Sequence, residues 1–415
     1  MLKIFKPYRS HRNQVGRVTP CAPPPANLRI QWAKNCPPCQ LCLYLIISIL
    51  LMMFSSATAD DTTHTSDGFA LPQPGHEFSF PRDYGSHDDF KIEWWYITGH
   101  LFGDDGHRFG FQATFFRSAG SLPGQSGTND SGFGHEKLFL AHMALLDVKS
   151  GTFMHQQRLN RDGWDAFSAT NGLDVRNGNW SLRMTATNRQ TMDLRGSFGN
   201  GTSLQLELQP RKPLVVFGQN SVSRKAADPS AASYYLTFPR LQATGEVRLD
   251  AGTNRVQGEA WMDHEISSSQ LGTEQTGWDW CCLQFKDGRE IMAYRMRRKD
   301  GSQDPFSTLA WVSTNGIATH LPSAEFKMKT VRTWKSPFTG AVYPVSIKLQ
   351  TRDPQTGQPV IFLLEPLADD QELSGNGSPV YWEGACRIRD DAGKELGSAF
   401  LELTGYAGNL QKSLR

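Results

Sequence analysis

Asp263 and Glu265 stand two residues apart in the stretch Gly258–Glu265. A strand sends alternate side chains to opposite faces. A strand here therefore puts Trp261, Asp263 and Glu265 on one face, and Ala260, Met262 and His264 on the other. At that spacing the two carboxylates have Cα atoms about 6.5–7 Å apart. In apolar surroundings, desolvation and mutual repulsion raise one of their pKa values. The protonated member can act as general acid while its ionised partner activates water. Alkene hydration needs that combination: a proton to one carbon, then water to the cation. Asp263 and Glu265 are the expected acid and base, with His264 in support. The structural alternative is a strand emerging at a barrel rim, with Asp263 accepting backbone N–H bonds.

Aromatic residues surround this pair. The indole faces of Trp261, Trp278 and Trp280 suit a carbocation, and Tyr294 follows on the next extended run. Asp279 lies between Trp278 and Trp280, so it faces away from both. It is a further catalytic candidate, because the arrangement with both tryptophans outward would bury its carboxylate. Trp94, Trp95 and Tyr96 upstream, and Trp382 and Glu383 downstream, are expected to contact a ligand. Glu93 shares a face with Trp95; Glu93 and Glu383 could instead pair with an arginine such as Arg295 or Arg297. Eight of the eleven histidines fall between His64 and His155, but none forms a His-Glu-x-x-His or other tight ligand spacing. No metal or cofactor is expected. No Gly-x-Ser-x-Gly elbow and no phosphate-binding glycine loop occurs.

The elements that must position these residues are short strands. Asp104-Asp105-Gly106 and Lys286-Asp287-Gly288 separate alternating runs, a strong hairpin signal. Trp278-x-Trp280 followed by its turn answers Trp94-x-Tyr96 followed by its own, which suggests two copies of one unit. Strands about every ten residues with turn signals between them imply sandwich or closed barrel. The expected architecture is all-β, two antiparallel barrels packed together. Residues 60–88 read as a flexible lead-in, 89–240 as the first domain and 241–415 as the second, with a Gly/Ser-rich loop at 118–134.

Residues 1–59 are a different object. They hold seven cations and no acid, then an apolar run from Leu41 to Phe54, then Ala57-Thr58-Ala59. Basic region, apolar core and small-residue site form a secretory signal, with cleavage expected after Ala59 and a periplasmic or secreted product. Without that leader, 36 Lys and Arg face 41 Asp and Glu. No basic stripe remains, so nucleic acid is not an expected partner. Cys36-Pro-Pro-Cys39 falls in the leader; beyond it only Cys281, Cys282 and Cys386 remain. Either one of the adjacent pair bridges to Cys386, or all three are buried thiols.

Eight motifs in order resemble the AttH family: Glu93–Leu101, Trp261–Glu265, Gly277–Trp280, Trp334–Pro337, Tyr343-Pro344, Asp370–Leu373, Tyr381–Ala385 and Leu401–Tyr406. The resemblance covers roughly residues 75–410. It implies two lipocalin-like domains, a secreted protein of a kind labelled predicted secreted hydrolase, and kinship with carotenoid 1,2-hydratase. The expected function is binding of an apolar isoprenoid or lipid-like ligand, with carboxylate-driven hydration as a hydro-lyase. Two alternatives stand beside it: a non-catalytic periplasmic carrier that serves a membrane transporter, and a hydrolase using carboxylate-activated water.

Overall fold

The structure is a computed structural model that describes residues 63–120, 137–163, 165–186, 190–375, 379–408 and Leu410. The leader, its cleavage site and most of the Gly/Ser-rich loop lie outside the described residues. Two short 3-10 segments accompany the strands that carry the fold.

The first sheet contains β1 (Ile92–Gly103), β2 (Arg108–Ser118), β3 (Leu138–Asp147), β4 (Thr152–Arg161), β5 (Ala166–Ser168), β6 (Asp174–Asn177), β7 (Trp180–Ala186), β8 (Thr191–Ser197), β9 (Ser203–Pro210), β10 (Val215–Phe217), β11 (Ser223–Arg224), β12 (Ala232–Leu249) and β13 (Gly252–Ser269). The second contains β14 (Gln275–Phe285), β15 (Glu290–Arg298), β16 (Thr308–Val312), β17 (Ala318–Pro322), β18 (Lys327–Lys335), β19 (Val342–Arg352), β20 (Pro359–Pro366), β21 (Glu372–Leu373), β22 (Tyr381–Arg389) and β23 (Glu395–Leu403).

Paired strands run antiparallel, mostly between neighbours in sequence. Of the exceptions, three matter most: β1 pairs with β13, β12 with β9, and β14 with β23. The tight turns work as their sequences require. Gly106 and Gly288 take φ of +81° and +83°, the left-handed region in which a side chain is strained.

Each sheet curls around its own apolar core in a lipocalin-type barrel. Trp95, Ile97, Phe109, Phe111 and Trp180 belong to the first core, and Leu283, Trp311, Tyr343, Trp382 and Leu401 to the second. A third cluster, with Tyr96, Tyr235, Trp261, Trp280 and Tyr294, fills the space between the sheets. Both sheets lie in one compact unit, Thr62–Arg415. Polar bolts join them: Glu290 Oε1 accepts from Arg240 Nε at 2.6 Å and its Oε2 from Lys212 Nζ at 2.5 Å. Gln284 Nε2 donates to the carbonyls of Pro239 and Ala260.

Two expectations about organisation need correction. The break near Arg240 falls inside β12, which with β13 completes the first sheet; the change of sheet comes between Ser269 and Gln275. The long β12–β13 hairpin is needed there because β13 bridges β1 to β12. Residues 63–88, expected as a flexible lead-in, are instead folded over the first barrel. Phe69, Leu71, Tyr84, Ser86 and His87 are buried, and Gln73 N and Trp95 Nε1 donate to Tyr234 Oη and the Tyr84 carbonyl.

Candidate functional site between the sheets

Alternation along β13 divides its residues as expected. Ala260 and Met262 enter the first core, while Trp261 joins the cluster between the sheets. Asp263 points the same way as Trp261, whose indole N–H donates to Asp263 Oδ1 at 2.7 Å. Thr237 Oγ1 donates to the same oxygen and Tyr235 Oη to Oδ2, each at 2.6 Å. Tyr235 in turn accepts from Trp280 Nε1 at 2.9 Å. Burial lifts the Asp263 pKa from 3.8 to about 7, against the pull of Thr237 and Tyr235 and with help from the Glu265 charge.

Glu265 accepts from Ser233 Oγ at 2.5 Å and pairs with Lys225 Nζ at 3.1 Å. Lys225 is buried and lies over the rings of Tyr235 and Tyr294, 4.6 and 4.2 Å from their centroids. Burial disfavours its charge, but Glu265 overcompensates and its pKa is raised. The register places Trp94 opposite Glu265 and Tyr96 opposite Asp263 on β1. Tyr96 meets Trp280 edge to face at 5.3 Å.

The second sheet contributes two more carboxyls. Tyr96 Oη donates to Glu383 Oε2 at 2.8 Å, and Trp278 Nε1 donates to Glu402 Oε2 at 3.0 Å. Glu383 and Glu402 are opposite each other in the β22–β23 register. Burial, then the charge of Glu402, hold Glu383 well above the carboxylate range. Burial also lifts Glu402 to about 8, against its Trp278 bond, with Glu265 and Asp263 adding to the rise. Trp94, Trp278 and Glu402 are only partly buried, so the cluster reaches the surface on that side. Four carboxyls, one lysine and a ring of Trp and Tyr thus meet between the sheets, and burial raises the pKa values of three of the acids.

Not every expected residue arrives there. Asp279 faces the second barrel, where Arg295, Arg297 and the Tyr406 hydroxyl engage it; its position between Trp278 and Trp280 dictates this, and it is an ion-pair anchor. Trp95 and Trp382 point into the two barrel cores, for the same reason of alternation. His264 also turns away from the cluster, stacking on Trp95 at 4.7 Å. The three cysteines are buried free thiols. Tyr235, Lys225 and Glu402 belong to the cluster without having been singled out. Tyr235 and Glu402 had a signal, as polar residues alternating with apolar ones in Tyr234–Phe238 and Leu401–Leu403; Lys225 lies in an irregular stretch and had none.

His264 belongs to a second buried network. Glu93, fully buried, accepts at Oε1 from His264 Nε2 at 2.8 Å and His87 Nδ1 at 2.9 Å, and at Oε2 from Arg117 Nε at 3.1 Å. His87 Nε2 reaches Asp83 Oδ1 at 3.1 Å. Burial opposes the Glu93 charge, yet the two histidines and Arg117 hold its pKa well below the usual range. His87, Glu93 and His264 offer ligand atoms within 4.8 Å of one another. Arg117 already supplies the positive charge that a cation would bring, and Asp83 and Glu93 both bond to the His87 ring. The trio therefore works as an ion-pair network that fastens the 82–87 segment to the barrel.

Comparison with known proteins agrees with this architecture. A family model described as AttH-like matches residues 71–406. A crystal structure described as that of an AttH protein from Nitrosomonas europaea has 36% sequence identity and a TM-score of 0.72, over 82% of this chain and 100% of that one. Kievitone hydratase from Nectria haematococca has the same fold at 16% identity and a TM-score of 0.58, over 84% of this chain and 96% of that one. A search of curated proteins returns no match.

Proposed function

The chain belongs to the AttH-like family, and from that premise we propose that it is an exported hydro-lyase that adds water to an apolar, isoprenoid-like alkene held between its two sheets. One observation carries the reading: buried carboxyls with raised pKa values and a carboxylate paired with Lys225 meet among indole and phenol rings in one cluster between the sheets. The hydratase among its fold relatives is consistent with it. Export rests on the order of basic, apolar and small residues in the leader.

Glu402 is the proton donor in this proposal. Its only hydrogen bond from the cluster comes from Trp278, whereas both Asp263 oxygens are engaged by three donors. Its proton passes to one alkene carbon, the π bond supplying the electrons, and a cation forms at the other carbon. The faces of Trp278 and Trp280 stabilise that cation. Water then forms the C–O bond and gives a proton back to a carboxylate of the cluster. Asp263, through Tyr235 and Trp280, positions the aromatic wall and tunes the charge.

The test is incubation of the purified protein with linear polyenes and prenylated phenols in H2-18O, with mass spectrometry of the products. The expected result is one 18O per product molecule, with turnover down at least about 10²-fold in Glu402→Gln. Unchanged turnover in Glu402→Gln would remove that residue from the role. Tight binding of these molecules with no turnover would favour the carrier reading.

A further inference from the structure

β2 and β22 lie face to face between the sheets. A Cβ built on Gly110 would stand 2.4 Å from the Cβ of Ala385, so the two strands touch there. Gln112 and Thr114 follow Gly110 on the same face of β2, as Glu383 and Tyr381 precede Ala385 on β22. The match continues to the far end, where Thr114 lies close to the Tyr381 hydroxyl. Gln112 is therefore level with Glu383. Thr98 is its cross-strand neighbour on β1. Along β1, Thr98 falls between Tyr96, which bonds to Glu383, and His100, whose Nε2 lies 2.9 Å from the Ala399 carbonyl.

Each of these three residues has a polar atom with no hydrogen-bond partner among the described residues: Thr98 Oγ1, Gln112 Oε1 and Glu383 Oε1. Their residues are 1%, 0% and 1% exposed. Thr114 occupies the other end of the Gln112 amide. Turning that amide over would change which atom lacks a partner, but one end always does. Buried polar groups without partners are costly, and a water molecule that both donates and accepts is their usual remedy.

We propose that Thr98, Gln112 and Glu383 form a built site for one water molecule, and that this is the water consumed in hydration. The site stands on its own geometry; only its role rests on the hydratase reading. Glu383 is opposite Glu402 on the next strand, so the water is one residue pair from the proton donor. In the reaction the water oxygen bonds to the cationic carbon. One water proton goes to the Glu402 carboxylate, which has just given its own to the alkene.

A crystal structure of the ligand-free protein at about 1.5 Å resolution tests the site. The expected result is an ordered water within about 3.2 Å of Glu383 Oε1 and the Gln112 amide. A direct Glu383–Gln112 bond with no density between them overturns the site. Its role is tested with Gln112→Leu and the near-isosteric Thr98→Val, the same polyene and prenyl-phenol probes, and D2O as solvent. Hydration should fall at least tenfold while deuterium still enters recovered alkene, because Glu402 still delivers protons. Unchanged hydration in both variants overturns the role. If no probe is hydrated by the unaltered protein, the hydratase reading fails, while the water density still decides the site.

Discussion

Asp263 and Glu402 are acids whose folded pKa values, about 7 and about 8, exceed their ordinary values of 3.8 and 4.5. A group raised by folding stabilises the protein fully below its ordinary pKa, and that contribution is lost as pH rises through the folded value. For Asp263 the loss amounts to roughly 4 kcal/mol once the group is ionised, at about 1.36 kcal/mol per pKa unit. Glu93 has the opposite sign: its pKa is depressed, so its contribution is present above 4.5 and lost as pH falls. Melting temperature is expected to decline as pH rises from about 4 to about 8, and, through Glu93, as pH falls below 4.5. Glu402→Gln should flatten the decline with rising pH, since an amide cannot ionise; thermal melts across pH check it. Turnover should fall as pH rises through about 8, where the Glu402 donor loses its proton. The grouping of Trp261, Asp263 and Glu265 against His264 was legible from strand alternation alone. So was the turning of Asp279 away from its two tryptophans. Sequence could not say which face was inward, because apolar residues occupy both faces of β13.

At the scale of elements, Glu93 and Arg117 are neighbours across the β1–β2 pair and both have fully buried side chains. Breaking a buried pair by removing one partner leaves an uncompensated charge, at a cost of about 3–5 kcal/mol. Arg117→Met is expected to lower stability by that amount in denaturant titrations. The loss should be less in Glu93→Gln/Arg117→Met together, because no lone carboxylate remains. The network escaped a search for tight histidine spacing because its members come from an irregular segment and from distant strands. His87 and His264 are brought together only when β13 pairs with β1. Strands and their turns were legible from Asp-Gly signals and period-two runs. The domain break was not: β12 and β13 look in sequence like the start of a second unit, and only the pairing of β13 with β1 assigns them to the first.

For the whole molecule, the sheets share a buried charge cluster as well as an aromatic one. Glu290 on β15 holds Arg240 of β12 and Lys212. The two sheets are therefore expected to unfold together, with coincident transitions by far-ultraviolet circular dichroism and tryptophan fluorescence. Glu290→Ala should lower the common midpoint, at about 3–5 kcal/mol, without splitting it; two separated transitions would show that the sheets are independent. Two barrels were legible in the rhythm of the strands. Their joint site was not, since its residues come from β1, β12, β13, β14, β15, β22 and β23 and from the segment of Lys225, and no local pattern reports which outer faces meet.

The strand β13 is also a partition. Its odd-numbered positions from Trp261 to Glu265 serve the cluster between the sheets, and His264 serves the ion-pair network of the first barrel. One inserted or deleted residue within that run would exchange the two sets. His264 would then move among the protonated acids, and carboxylates would face Trp95 and Glu93. This stretch therefore cannot change in length, whereas the turns at Asp104–Gly106 and Asp287-Gly288 are free to lengthen. Descent within such a family would leave its insertions at the hairpin tips and keep the count between Gly258 and Ser267 fixed.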